Sequence, residues 1–337
     1  MKEYHVAVVG AGSTVGNETI DLLAQRDFPI QNLRLLASER SAGTRVRYKE
    51  ERIAVDILDE HSFDGIDIVF FSSEPSVSAE FAPRAVRSGA VVIDNTSVFC
   101  LKPEVPLVVP EVNPEALRGS QGIIAAPDSL TTQLLVALKP IHDAAIIDRL
   151  VISTYQAVSG TGDEAIQELH EQTRHIFLQR DIVCQVYPHQ IAFNCLPHID
   201  VFLENGCSRQ EMRVVHETRK ILEDDGIRIT ATAVQVPVFY GHSASVNIET
   251  DRKITADDVR ELLSNAPGVT VIDDPCHHLY PLATDAAGED AVFVGRIRED
   301  DSIETGINLW IVSDNVRKGA ALNAVQIAEK MIDMELM

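Results

Sequence analysis

A chain of 337 residues is longer than one hydrophobic core ordinarily serves, so two domains are expected, and 45% hydrophobic residues supply material for both. A net charge of −22 argues against nucleic-acid binding, which needs clustered Lys and Arg, and no apolar run reaches the about 20 residues that cross a bilayer. The opening M-K-E-Y-H-V-A-V-V-G runs straight into a strand pattern, and five cysteines without paired spacing fit free thiols, so a cytoplasmic protein without membrane contact is expected.

Residues 5–10 read as a buried strand, 15–25 as an amphipathic helix behind it, and 33–38 as the next strand. Buried strands follow at 66–73 and 90–94, separated by a helical pattern at 77–87. Short apolar runs interleaved with helices define a doubly wound, parallel, Rossmann-type α/β domain. After about residue 130 the pattern changes. Helices at 164–178 and 210–222 mix with alternating strands at 227–240 and 243–250, and a helix at 318–332 closes the chain. This second part reads as an α+β domain with a mixed, mostly antiparallel sheet. The expected division is a dinucleotide-binding domain of 1–129 with 316–337, and a substrate and dimerisation domain of 130–315.

The stretch G-A-G-S-T-V-G at 10–16 follows a strand and opens a helix, the context of a dinucleotide loop. Gly10 suits the tight turn, Gly12 the approach of a pyrophosphate, and Gly16 close helix–strand packing, while Ser13, Thr14 and Val15 sit at the anion-binding helix start. After the second strand, Arg40 beside Ser41, with no carboxylate ending the strand, points to NADP. Cys276, His277 and His278 are consecutive and lack further ligands at useful spacing, so no metal is expected.

The chain resembles the aspartate-β-semialdehyde dehydrogenases along nearly its whole length. The resemblance rests on L-A-S-E-R-S-A-G at 36–43, P-L-V-V-P-E-V-N at 106–113, S-T-Y-Q-A-V-S-G at 153–160, I-A-F-N at 191–194, F-V-G-R-I-R at 293–298 and S-D-N at 313–315. It implies NADP-linked oxidation of a semialdehyde, in which a cysteine thiolate forms a thioester that phosphate cleaves. It also implies a homodimer.

The family's N-P-N-C-S-T is here A-P-D-S-L-T at 126–131, so the nucleophile position is Ser129 and the residue before it Asp128. The phosphate-binding arginine matches Cys100, and the arginine for the substrate carboxylate matches Gln235. The glutamate that meets the substrate amine matches Gln210, while Arg213 keeps a cation three residues on. Gln156 matches the residue that orients the acyl group, His242 the acid/base, and Asn315 with Lys318 a cofactor-contacting segment. The nicotinamide-side loop is S-S-E-P-S at 72–76, where Ser73 is retained but Glu74 and Pro75 add charge and rigidity.

A thiol ionises far more readily than an alcohol, and its ester yields more readily to phosphate. The resemblance therefore implies an altered or inactive, Usg-like member that keeps the scaffold and a small-molecule ligand. Two alternatives stand beside it. One is an active oxidoreductase on another aldehyde, with Ser129 or Cys100 as nucleophile, and the other is a working aspartate-semialdehyde dehydrogenase in amino-acid biosynthesis.

Overall fold

The computed structural model describes residues 2–39 and 42–337. The chain forms two compact units, Met1–Asp128 with Ala320–Met337, and Ser129–Gly319.

In the first unit, β1 (Tyr4–Val9), α1 (Thr14–Gln25) and β2 (Ile30–Ala37) lead into a hairpin of β3 (Arg45–Tyr48) and β4 (Glu51–Ile57). Then come β5 (Ile68–Phe71), α2 (Pro75–Arg87), β6 (Val91–Asp94) and β7 (Ile123–Ala125). The sheet order is β3-β4-β2-β1-β5-β6-β7. Every pairing is parallel except β3 with β4. All four residues of β5 are buried, as an inner strand covered on both faces requires. The edge strand β3 instead exposes Arg45 and Arg47, charges that discourage further pairing. This hairpin is not legible in the sequence because R-V-R-Y and E-R-I-A-V-D-I carry too much charge to read as a buried run.

The second unit begins with α3 (Ser129–Ala145) and β8 (Ile147–Gln156), then α4 (Asp163–Phe177), α5 (Arg209–Leu222), β9 (Arg228–Gln235) and β10 (His242–Thr250). It continues with α6 (Ala256–Ser264), β11 (Val269–Val271), α7 (Ala283–Ala286), β12 (Val292–Asp300) and β13 (Gly306–Ser313). Its sheet runs β11-β12-β13-β10-β8-β9, with antiparallel pairing in the middle and one parallel pair at each edge. Helix α3 lies across β10, β12 and β13, between α5 over β9 and α6 over β11 and β12. The alternating burial along β8 follows, since only one face meets the helices. The strand expected to run to Tyr240 stops at Gln235, because Pro237 has no N–H to extend the ladder.

The closing helix α8 (Leu322–Asp333) belongs to the first unit, where Leu322, Val325, Ile327 and Met331 join the core. Arg26, the C-cap of α1, grips Glu329 through two bonds of 2.7 Å, and buried Asn323 donates to the Val108 carbonyl at 3.1 Å. The sheets thus match the fold class expected from the sequence.

Candidate active site

In the first unit the strand order reverses between β1 and β5, the switch point at which open α/β sheets bind ligands beyond their carboxyl ends. The loop after β1 is pinned there. The Ser13 hydroxyl caps α1 by accepting from Gly16 N at 3.0 Å, and donates to the carbonyls of Gly10 and Ser72, 2.9 Å from each. Gly10 has φ +86°, and a Cβ on it would sit 2.2 Å from the Ser72 carbonyl oxygen, so this junction of two loops requires glycine. Gly12 is exposed at the tip, while Thr14 and Val15, partly exposed, begin the helix.

Beyond β5 and β6, Ser73 Oγ and Asn95 Oδ1 are buried oxygens without a hydrogen-bond partner. An amide oxygen that accepts and a hydroxyl that can donate or accept, at the carboxyl ends of strands, fit a polar ligand that carries hydrogen-bond donors. Pro75 sits in the first turn of α2, where its missing N–H costs nothing, and Glu74 is its exposed N-cap. Arg40 and Ser41, on which the preference for NADP rested, lie outside the described residues.

Cys100 belongs to this unit and is 1% exposed. Its thiol lies 3.3 Å from the Thr96 carbonyl and 3.5 Å from that of Ala126. The loop carrying it is set by Asp94, a buried carboxylate that accepts from Ser78 Oγ at 2.6 Å and Thr96 Oγ1 at 2.8 Å. The side chain is packed as a small buried hydrophobe.

In the second unit, sheet register collects the remaining candidates at one edge. Gln156 and Gln235 end β8 and β9 and face each other across a parallel pair. His242 starts β10 opposite Ser313, the last residue of β13, and Asn315 follows two residues on. Antiparallel neighbours therefore bring the start of one strand to the ends of its partners.

Gln235 is 2% exposed and donates to the Gln156 carbonyl at 2.8 Å, while the Gln156 amide donates to Thr154 Oγ1 at 3.3 Å. Asn315 Oδ1 accepts from Ser159 Oγ at 3.1 Å and Gly241 N at 3.0 Å, so it braces the turn before His242. His242 is 1% exposed and its Nδ1 accepts from Ala157 N at 3.1 Å.

Ser129 is the first residue of α3, and a Cβ on Gly319 would lie 2.6 Å from Ser129 Cβ, so the turn holding Lys318 packs directly on it. One helical turn on, Gln133 donates to the His242 carbonyl at 3.2 Å. Gln133, Ala157 and Gly160 were not singled out from the sequence. Only Gln133 carried a signal, its four-residue spacing from Ser129. On α5, Gln210 is buried and Arg213 pairs through Nε with the fully buried Glu217 at 2.6 Å. Among the described residues no three His, Cys, Asp or Glu side chains are grouped to hold a metal, and His277 pairs with Asp274 instead.

A doubly wound nucleotide-binding unit followed by a mixed sheet with hydroxyl, imidazole and amide groups at one edge defines a two-unit protein of dehydrogenase type. The pattern described as "Semialdehyde dehydrogenase, NAD binding domain" matches residues 5–120, and "Semialdehyde dehydrogenase, dimerisation domain" matches residues 138–318. An aspartate-semialdehyde dehydrogenase of Aquifex aeolicus is 51% identical over 98% of both chains. The crystal structure of aspartate semialdehyde dehydrogenase II from Vibrio cholerae, complexed with ASA, superposes with a TM-score of 0.97 at 45% identity over 99% of both chains. The Candida albicans enzyme with NADP gives 0.78 at 25% identity over 100% of both. This chain belongs to the aspartate-semialdehyde dehydrogenase family.

Proposed function

We propose that this protein binds NADP and a small carbonyl compound, and that phosphate-dependent acyl transfer is lost or altered because residue 129 is a serine. The reading is that of a Usg-like member of the family. The observation that supports it is the position of Ser129 as the first residue of α3. A helix N-terminus lowers a thiol's pKa into the range where thiolate forms near neutrality, whereas an alcohol starts so much higher that it stays protonated there. Gln235, with its amide bound to the Gln156 carbonyl, adds to the case, since a neutral amide cannot hold a carboxylate as a guanidinium does.

Gly10, Gly12, Ser13, Thr14, Val15, Gly16 and Ser73 would hold the dinucleotide, whose oxidised ring accepts hydride from a substrate when bound. Gln156, His242, Gln210, Arg213 and Gln235 would surround the carbonyl compound, and Asn315 would steady the His242 turn. The dimerisation pattern over residues 138–318 supports a homodimer.

NADP binding is measured by thermal shift, and aspartate semialdehyde oxidation is followed as NADPH formation with and without phosphate. The expected result is a rise in Tm with NADP, no phosphate-dependent rate in the native chain, and a rate installed by Ser129→Cys. A native phosphate-dependent rate that collapses in Ser129→Ala would overturn the reading. It would favour an active dehydrogenase in amino-acid biosynthesis, which the identity of 51% across the full length of the Aquifex relative also supports.

A further inference from the structure

A cavity of about 460 Å³ opens in the second unit, within the about 300–1,000 Å³ typical of small-molecule sites. None of the residues assigned to the candidate active site lines it. Its floor is Ser245 on β10 and Trp310 on β13, which pair across the two strands. Both alternate with buried Ala244, Val246, Leu309 and Ile311, so they point to the face that the helices leave open. The wall is the segment 280–283, held down at two points. Trp310 Nε1 donates to the Pro281 carbonyl at 3.1 Å. Gly295 lets Pro281 come close, because a Cβ there would lie 2.6 Å from Pro281 Cδ.

The third side is Arg296 and Arg298 of β12, brought there by a β-bulge. Gly295 pairs with Trp310 and Arg298 with Asn308, so Arg296 and Ile297 together oppose Leu309 alone. The extra residue turns Arg298 to the face of Trp310, while Ile297 stays buried. Arg296 takes φ +51°, a left-handed setting that is costly for a side chain of this size. The setting is enforced from beneath. Asp273, its side chain 1% exposed, accepts the Ile297 N–H at 3.2 Å and Arg260 Nε at 2.8 Å. Arg260 Nη2 in turn donates to the Ile297 carbonyl at 2.6 Å.

Charge sets this cavity apart. The chain carries −22, yet among the described residues the Arg296 guanidinium has neither an ion pair nor a hydrogen bond. Arg298 gives one N–H to the Arg296 carbonyl at 2.9 Å, and Asp300, which it also attracts, is already occupied by Asn247 and Ser302. No carboxylate is among the residues lining the cavity. Two guanidinium groups beside Trp310, Tyr280 and Leu282 fit an anion with an apolar body, since the planar fork binds carboxylate and also lies well against aromatic faces.

We propose that this cavity binds a small carboxylate with an apolar body and no ammonium group, held by Arg296 and Arg298 over Trp310. An ammonium group would meet two cations and no counter-charge. The inference goes beyond the proposed function and shares none of its residues.

Trp310 is the single tryptophan of the chain, so its fluorescence reads the cavity directly. The full chain is titrated with 3-phenylpropionate, with 3-phenylpropan-1-ol, which lacks the charge, and with L-phenylalanine, which adds an ammonium group. The expected result is a saturable change with 3-phenylpropionate and a Kd at least about tenfold higher for the other two, as the loss of a charge-assisted contact predicts. Arg296→Gln and Arg298→Gln should each weaken 3-phenylpropionate by about the same factor, with the far-ultraviolet circular dichroism unchanged. If either variant fails to fold, the comparison of the three probes on the native chain decides.

No saturable change, equal affinity for acid and alcohol, or L-phenylalanine binding as tightly as 3-phenylpropionate overturns the proposal. So does unchanged affinity in the folded arginine variants. A probe that binds only by dissociating the expected dimer in sedimentation overturns it too, because a second copy would then be the occupant. NADP titration and the phosphate-dependent assay report separately on the proposed function.

Discussion

Cys100 and Ser129 are the two side chains on which a covalent mechanism would have to rest, and their surroundings differ. Cys100 is 1% exposed, with its Sγ against two backbone carbonyls, so its thiol is shielded from reagents. Cys184, Cys195 and Cys276 are exposed by comparison. Iodoacetamide labelling followed by peptide mass spectrometry should modify those three at least about tenfold faster than Cys100, in keeping with thiol accessibility. Equal rates would restore Cys100 as a nucleophile. In Ser129→Cys, a new thiol at a helix start should label faster than Cys100 as well. The identities of these residues were legible in the sequence, but their environments were not. Nothing in D-N-T-S-V-F-C announces that Asp94 is buried and ties Ser78 to Thr96, because that geometry depends on a helix 16 residues earlier.

At the scale of elements, α5 carries Gln210 and Arg213, and its start is fixed by a reciprocal cap. Ser208 Oγ accepts from Glu211 N at 3.2 Å while Glu211 Oε2 accepts from Ser208 N at 2.6 Å. The other Glu211 oxygen accepts from Ala233 N at 2.9 Å, which covers the open edge of β9. Ser208→Ala should cost about 1 kcal/mol in urea unfolding. Glu211→Ala should cost about 2 kcal/mol, since two backbone donors lose their partner. The double variant should fall short of the sum, because both changes dismantle one cap.

Helix α6 offers a pH test of the same device. The Thr255 hydroxyl and backbone N–H donate to the Asp258 carboxylate, which lowers its pKa from the ordinary 3.8. A carboxyl with a lowered folded pKa adds stability that is complete above the ordinary value and lost as pH falls through the folded value. The Tm difference between the native chain and Asp258→Asn should therefore be present at pH 7 and vanish in strong acid. A difference that persists below about pH 2 would rule out the carboxylate as its source.

Buried strands and the glycine loop are visible in the sequence. The β3–β4 hairpin was hidden by its charges. The loop over residues 185–192 was hidden for another reason, since its order comes from Glu168 and Gln172 on α4 accepting its N–H groups. A side chain that organises a distant loop leaves no periodicity to read.

At the scale of the whole molecule, two opposing terms govern self-association. Phe177 and Phe193, 74% and 66% exposed, meet edge to face with ring centroids 6.0 Å apart, and Leu178, Val183, Val201 and Phe202 of the second unit are also exposed. Large apolar side chains left outside a core mark an interaction surface, and the dimerisation pattern over residues 138–318 supports the proposed second copy as its occupant. Each copy carries −22 charges, so bringing two together is opposed electrostatically. Salt screens that repulsion over about 10 Å at 0.1 M ionic strength, and it leaves apolar burial intact. The expected dimer should therefore tighten between 20 mM and 300 mM salt in sedimentation equilibrium. Phe177→Ser with Phe193→Ser should weaken it at least about tenfold at every salt concentration, which corresponds to losing about 1.4 kcal/mol of association. A dimer loosened by salt would place charge pairs, not this apolar surface, at the interface.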